Sequence, residues 1–408
     1  MRLLDTTTLE LKEFFSSSIF DEPNEINHDS WLGINDESGV PCYAILSHTW
    51  GNDEVLYQDI TGDLTKAEKK LGYSKIANSC ERAASDGWRY IWIDTCCIDK
   101  SSSAELSEAI NSMYDWYYNA EVCYAYMSDV SMTPDLADEI FIACFSASRW
   151  FTRGWTLQEL LAPSKVHFYN SEWILLGTKE HLVELVSTAT NIDPCALCRD
   201  ANLNDFTIAR RMLWASRRQT TRPEDMAYCL LGIFGIRMPL LYGEEENAFV
   251  RLQTEIMKTN HDQSIFAWGS PIRSTSFSTD GPLALSPTYF RASSSISQFH
   301  NPGRHAPLSL PVGGGVQTKV LLQEGRESYE PTDCFAILHC DVGNIPGLLA
   351  GIMLKSIRFT PTEFCRSNDM RVFMFANSSS DYCEIIQGFD PNAPQARLVQ
   401  VIPGGESE

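Results

Sequence analysis

The chain has 408 residues and a formal charge of −21. A balance this acidic repels nucleic acid and anionic membrane alike, which excludes non-specific binding to either. Apolar usage of 44% and charged usage of 21% are those of a globular protein, and the length fits two or three domains.

The N-terminal MRLLDTTTLELKEFF is broken by Asp5, Glu10 and Glu13, so it lacks the apolar stretch of a secretory signal. No run approaches the ~18 apolar residues of a membrane span. The 13 cysteines are odd in number, and Cys42, Cys96, Cys97 and Cys123 sit in apolar runs. Buried free thiols in a reducing cytoplasm fit this pattern better than a disulfide framework.

YAIL (residues 43–46) is short, apolar and bounded by Pro41 and Ser47-His48, which predicts a buried strand. In KIANSCERAASDG, Ile76, Ala77, Cys80, Ala83 and Ala84 recur at helical spacing before a stop at Gly87. YIWID (90–94) is a second strand. Ser102 and Glu105 form a capping-box pattern opening a helix with Leu106, Ile110, Met113, Tyr114 and Tyr117 on one face. VCYAYM (122–127) is a third strand, RGWTLQELLA (153–162) a short helix stopped by Pro163, and VHFYN (166–170) a fourth strand.

Strands alternating with helices predict an α/β fold, a parallel sheet with flanking helices. In such sheets ligands bind beyond the carboxyl ends of the strands. That rule singles out Ser47, His48 and Trp50 after the first strand, and Asp94 and Cys97 after the second. The structural alternative is that Ser47 and His48 tie down the strand end, Trp50 fills the core and Asp94 caps a loop.

A helical block follows. Thr221, Pro223 and Glu224 give a capping box with proline in the first turn, ahead of Met226, Cys229, Leu230 and Ile233. Phe249, Leu252 and Ile256 mark another helix. Beyond 269, Gly, Pro and Asn separate KVLLQ, CFAILHC, LLAGIML, RVFMF, CEIIQ and RLVQVI, which predicts a mostly β domain, sandwich or barrel. The expected domains are 1–178, 179–268 and 269–408. The basic cluster Arg210, Arg211, Arg217, Arg218 and Arg222 reads as solvated faces and ion pairs or as a phosphate partner. Cys195 and Cys198 make a single CxxC with no matching pair, so no metal site is expected. No phosphate-binding GxxxxGK[ST] loop is present.

Three blocks resemble the heterokaryon-incompatibility (HET) domain of filamentous fungi: YAILSHTWG (43–51), YIWIDTCCIDK (90–100) and RGWTLQELLAP (153–163). A later block, TTRPEDMAYCLLGIFGIRMPLLYGEEENAFVRLQ, resembles the segment that commonly follows this domain, so the likeness runs over roughly residues 2–268. The chain departs from the family at Lys100, where the family usually has glutamine.

The resemblance implies a TIR/flavodoxin-like fold and a role in fungal self/non-self recognition and cell death. It also implies self-association through the HET domain and contact with other incompatibility or immune-receptor proteins. TIR enzymes that cleave NAD carry WxxxE on the helix after the third strand, which here maps to Trp155 and Glu159. Residues at i and i+4 share a helix face, so the two are expected to point together at the crevice. Cleavage of the nicotinamide–ribose bond builds oxocarbenium character that a carboxylate stabilises. On this reading NAD is a substrate, Glu159 is catalytic, and Ser47, His48, Trp50, Asp94 and Trp155 bind it, with no resident cofactor. The alternatives are a non-enzymatic HET adaptor, a solvated or Arg153-paired Glu159, and a thiol site of Cys97 with His48 and Asp94.

Overall fold

The structure is a computed structural model that describes residues 1–15, 39–134, 139–269 and 283–293. Of the remainder it describes residues 296–297, 308, 316–324, 333–342, 345–356, 363–366, 372–375 and 396–401. The chain divides into two compact units, Met1–Ala201 and Asn202–Glu408. Among the described residues, no helix is long and apolar enough to cross a membrane.

The first unit begins with two strands, β1 (Arg2–Asp5) and β2 (Leu11–Glu13). β3 (Ala44–His48) leads through α1 (Tyr57–Thr61), α2 (Leu64–Ala67) and α3 (Tyr73–Ser85) to β4 (Tyr90–Trp92). Then come α4 (Ser103–Asn119), β5 (Val122–Tyr126), α5 (Glu139–Ser146), α6 (Thr156–Leu161), β6 (Val166–Tyr169) and β7 (Leu175–Thr178). The unit closes with α7 (Val183–Thr190) and α8 (Pro194–Leu197).

All seven strands share one sheet in the order β2-β1-β4-β3-β5-β6-β7. The central four, β4-β3-β5-β6, are parallel. These are the four predicted strands, in the order 2-1-3-4. The fold is therefore α/β as expected, with one correction: antiparallel pairs extend the sheet at both edges.

β3 lies at the centre and is buried along its whole length. Because strand side chains alternate, Ser47 faces one side of the sheet and His48 the other. On the Ser47 side, Trp92 of β4 packs on Tyr117 of α4, ring centroids 5.7 Å apart, and Phe168 of β6 packs on Trp150 at the same distance. On the His48 side, the Tyr124 hydroxyl donates to Asp86, just past α3, at 2.7 Å. The first crossover, through α3, thus lies on the His48 face and the next two, through α4 and α6, on the Ser47 face, which puts the switch in strand order between β3 and β5.

Local signals behave as their chemistry dictates. Ile76, Cys80 and Ala83 form the buried stripe of α3, and Gly87 at φ +87 ends it in a conformation that side chains resist. The Ser102 hydroxyl caps α4 by accepting from Glu105 N–H at 3.4 Å. The reciprocal half of the predicted capping box differs. The Glu105 carboxylate accepts from Asp99 N–H at 2.7 Å and pairs with Arg2.

The second unit opens with α9 (Ile208–Ala215). The continuous helix predicted after Pro223 is instead two short turns, α10 (Asp225–Tyr228) and α11 (Leu231–Phe234). The Glu224 carboxylate leaves its own helix to accept from Gly243 and Glu245 N–H, at 2.6 and 3.2 Å. α12 (Asn247–Thr259) buries Phe249, Leu252 and Ile256 as their spacing predicts. Within the basic cluster, Arg211 is buried and donates to the Ile233 carbonyl at 3.1 Å, so it caps α11.

Seven strands follow among the described residues: β8 (Ile296–Ser297), β9 (Val316–Glu324), β10 (Asp333–Val342), β11 (Ile345–Ser356), β12 (Glu363–Arg366), β13 (Val372–Phe375) and β14 (Ala396–Val401). Pairing runs β9–β10–β11–β12–β14 and back to β9, closing a ring. Alternate residues Ala336, Leu338 and Cys340 are buried. CEIIQ and Gly313–Gly315 lie outside the described residues. The units divide after Ala201, whereas sequence texture changes at 178 and 268. Residues 179–201 stay with the first unit because α7 and α8 pack on α5 and α6.

Lys179 ties the end of α6 to the sheet. Its buried ammonium donates to the Leu160 and Pro163 carbonyls at 3.1 and 2.7 Å, satisfying groups a helix terminus leaves open. Burial pushes its pKa down from 10.5 to about 8. Between these values the unfolded chain binds the proton and the folded chain does not, so this group's contribution to stability rises with pH. Relative to Lys179→Met, the wild type gains up to roughly 3 kcal/mol between about pH 7.5 and pH 10.5, read as the difference in thermal midpoints.

Candidate functional site

Two polar clusters meet at the carboxyl end of β3, one on each sheet face. The first is built on Ser47. Its hydroxyl donates to a Glu159 carboxylate oxygen and accepts from Trp150 Nε1 at 2.9 Å. Trp150 sits in a 3-10 turn, Arg149–Thr152, held by the Ser148 hydroxyl and by Asp129 after β5. Glu159 belongs to α6, whose six residues are all buried; Glu159 itself is 7% exposed. Tyr117 completes the surroundings. Its hydroxyl donates to the Leu46 carbonyl at 3.0 Å, and burial, then the Glu159 carboxylate, pushes its pKa well up.

The second cluster is built on His48. The imidazole is 6% exposed, and neither ring nitrogen has a hydrogen-bond partner among the described residues. Its Nε2 stands 3.7 Å from Asp94 Oδ1, too far for a hydrogen bond. Asp94 accepts from Trp50 Nε1 at 2.9 Å. Lys100 Nζ lies 3.5 Å from the Trp50 ring centroid and 3.7 Å from Asp94 Oδ2, an ion-pair separation. Further in, Lys75 of α3 pairs with Glu54 at 2.6 Å, and the same carboxylate oxygen accepts from Gly51 N–H at 2.5 Å. Gly72 permits that approach: a Cβ there would stand 2.9 Å from the Asp53 carbonyl.

Burial first, then the Lys75 charge, pushes the His48 pKa well below 6.5; Glu54 opposes this and Lys100 adds to it. The Lys75 and Lys100 pKa values are likewise lowered by burial, against the pull of Glu54 and Asp94 respectively. His48 is therefore a neutral imidazole between charged neighbours.

The predicted residues are thus divided by the pleat. Ser47 and Glu159 meet on one face; His48, Trp50 and Asp94 gather around the other. Trp155 is half-buried at the N-cap of α6, and an indole that sequence reasoning did not name, Trp150, bonds to Ser47 beside Glu159. Trp50 is 40% exposed and forms a rim rather than core. The Cys97 sulfur accepts from Ile93 N–H at 3.3 Å, inside the turn after β4. Among the described residues no group of His, Cys, Asp and Glu is arranged to hold a metal. Trp150, Lys75 and Glu54 were not singled out by spacing; Tyr117 was read only as part of a helix face, and Lys100 only as a departure from the family. Nothing in the sequence separates Glu54 and Lys75 from the other charges between residues 53 and 75.

Residues 43–139 match the family model described as Heterokaryon incompatibility protein (HET). This segment is a HET domain. Residues 247–303 match a model described as Domain of unknown function (DUF8212). The Vegetative incompatibility protein HET-E-1 of Podospora anserina is 48% identical over 224 residues, which cover 54% of this chain and 16% of that protein. The chain thus spans about a sixth of the length of the curated relative it matches. No solved structure matches. The HET match includes β3, β4 and β5, and hence the base of both clusters, and ends before α6 and Glu159.

Ser47→Ala strips Glu159 of a donor and Trp150 of an acceptor in a dry site. Stability is expected to fall by about 1–3 kcal/mol, seen as a lower thermal midpoint. His48 acts in the acid range. As pH falls through 6.5 the unfolded imidazole takes a proton that the folded one refuses, so stability is lost. The melting difference between wild type and His48→Asn is expected to move against the wild type between about pH 7.5 and pH 5.5.

Proposed function

We propose that this chain acts in fungal incompatibility, and that its HET domain is an effector that cleaves the nicotinamide–ribose bond of NAD. The HET match and the similarity to a vegetative incompatibility protein support the first part. For the second, the supporting observation is the placement of the Glu159 carboxylate. Ser47 draws it to the carboxyl end of β3, beside the switch in strand order where α/β sheets bind ligands. The 2-1-3-4 order is also what the TIR-like reading requires.

In the proposed reaction the glycosidic C–N bond breaks and nicotinamide leaves with the bonding electron pair as a neutral molecule. Glu159 stabilises the oxocarbenium ion in a site of low dielectric. Water adds to the sugar and releases a proton, giving ADP-ribose. Trp155, at the start of the same helix, offers ring surface to a flat base. Self-association and contact with other incompatibility or immune-receptor proteins belong to this reading, as does action in the cytoplasm.

The burial of Glu159 favours a second reading, a non-enzymatic adaptor. A carboxylate 7% exposed and bonded to Ser47 is also what a purely structural group looks like. The two part on one measurement: nicotinamide release from NAD by the full chain under self-associating conditions. Glu159→Gln is expected to lower the rate by about a hundredfold or more. A glutamine variant as fast as wild type removes this carboxylate from the chemistry. An assembled wild type that releases no nicotinamide leaves the adaptor.

A further inference from the structure

The His48 cluster has unmet hydrogen-bonding capacity of a specific kind. Both ring nitrogens of a buried imidazole and the ammonium of Lys100 have no hydrogen-bond partner among the described residues. A neutral imidazole offers one N–H donor and one bare acceptor nitrogen, while an ammonium offers three donors and no acceptor. Asp94 stands between them as an acceptor-only carboxylate, with one oxygen already engaged by Trp50.

The groups are graded in depth. His48, with 1% of its side chain exposed, is the floor. Asp94 and Lys100, with 24% and 29% of their side chains exposed, lie nearer the surface, although Lys100 Nζ itself is buried. Trp50 is the rim. Local charge is even, because Lys75 and Lys100 balance Glu54 and Asp94. The charges are nonetheless sorted: Lys75 is tied to Glu54 at hydrogen-bond distance, and Lys100 is held only loosely by Asp94. Lys100 is therefore the less firmly held of the two cations, although its Nζ is itself buried.

We propose that His48, Asp94, Trp50 and Lys100 form a binding site for a phosphorylated sugar, on the opposite sheet face from Ser47 and Glu159. Phosphate oxygens accept from Lys100, and from His48 if its N–H turns outward. Sugar hydroxyls donate to Asp94 and to the bare imidazole nitrogen. Trp50 supplies the flat surface on which a sugar ring or an attached base rests. A simple anion satisfies Lys100 and leaves the bare imidazole nitrogen unmet; a simple sugar, whose hydroxyls both donate and accept, meets the hydrogen bonds but brings no charge to Lys100. A molecule carrying both chemistries meets the hydrogen bonds and the charge together. The site does not require Glu159 to act on its occupant, so it stands apart from NAD cleavage.

The test is calorimetric titration of the full chain with ribose 5-phosphate, alongside ribose and inorganic phosphate. Saturable binding is expected for ribose 5-phosphate, at least about tenfold tighter than for either fragment. Lys100→Gln and Asp94→Asn are each expected to weaken it by about tenfold or more. Both positions are partly exposed, and thermal melting confirms that the variants fold. The indole N–H resonance of Trp50, assigned by its loss in Trp50→Phe, is expected to shift on saturation. Glu159→Gln is expected to leave binding unchanged while removing any nicotinamide release, which separates this site from the proposed cleavage. No saturable binding overturns the proposal. So does equal affinity for inorganic phosphate, which reduces the site to an anion contact, or loss of binding in Glu159→Gln, which merges the two clusters into one site.

Discussion

A fully buried strand that ends in polar residues is the constraint from which the rest of the first unit follows. β3 has parallel neighbours on both sides and helices over both faces, so Ser47 and His48 are carried into the interior whatever their chemistry. A buried polar group without a partner costs about 1–3 kcal/mol. The pleat then forces two separate solutions, because adjacent residues cannot share a face. Ser47 is answered by Glu159 and Trp150. Around His48 the answer is burial, reinforced by the charges of Lys75 and Lys100 against the pull of Glu54, which keeps the imidazole neutral without a bond to it.

This division explains why so acidic a chain keeps lysines in its interior. Lys75 is held by Glu54, Lys100 by Asp94 and the Trp50 ring, and Lys179 by carbonyls at the end of α6. A buried ammonium is tolerated only when such partners replace its hydration. Each is attached to an element that positions the clusters. Lys75 anchors the loop after β3, and Lys179 anchors the helix that presents Glu159. The rim at Lys100 is the loosest of the three, since neither of its contacts is a hydrogen bond.

Much of the parallel core was legible in the sequence. YAIL, YIWID, VCYAYM and VHFYN are apolar runs with clear boundaries, and burial on both faces is what such runs report. The antiparallel edges were not. In β1 only Leu3 and Leu4 are apolar, and their acidic surroundings hid a strand whose partner is 85 residues away. The helix expected after Thr221 is split into two turns, and the Glu224 carboxylate at its start accepts from the distant Gly243 and Glu245 N–H groups, a long-range partner that local spacing does not show. For the site, end-of-strand reasoning located Ser47, His48, Trp50 and Asp94 at one sheet edge. It could not assign them to faces, because β4 ends at Trp92 and Asp94 reaches the edge through a turn. Trp155 has helical dihedrals at the N-cap of α6, so it keeps the i, i+4 relation to Glu159.

The contrast between the two clusters carries a functional meaning of its own. Glu159, Ser47 and Trp150 form a closed chain in which donor meets acceptor, and such a chain is stable with nothing bound. The His48 cluster is open: its imidazole is buried yet has no bond, and the Lys100 ammonium has none either among the described residues. If neutrality and packing were the only requirements, an apolar side chain at position 48 would meet both at lower cost. A group that satisfies donor and acceptor together offsets the cost only while it is bound. Retaining histidine there therefore makes sense where stability in the empty state is traded for affinity.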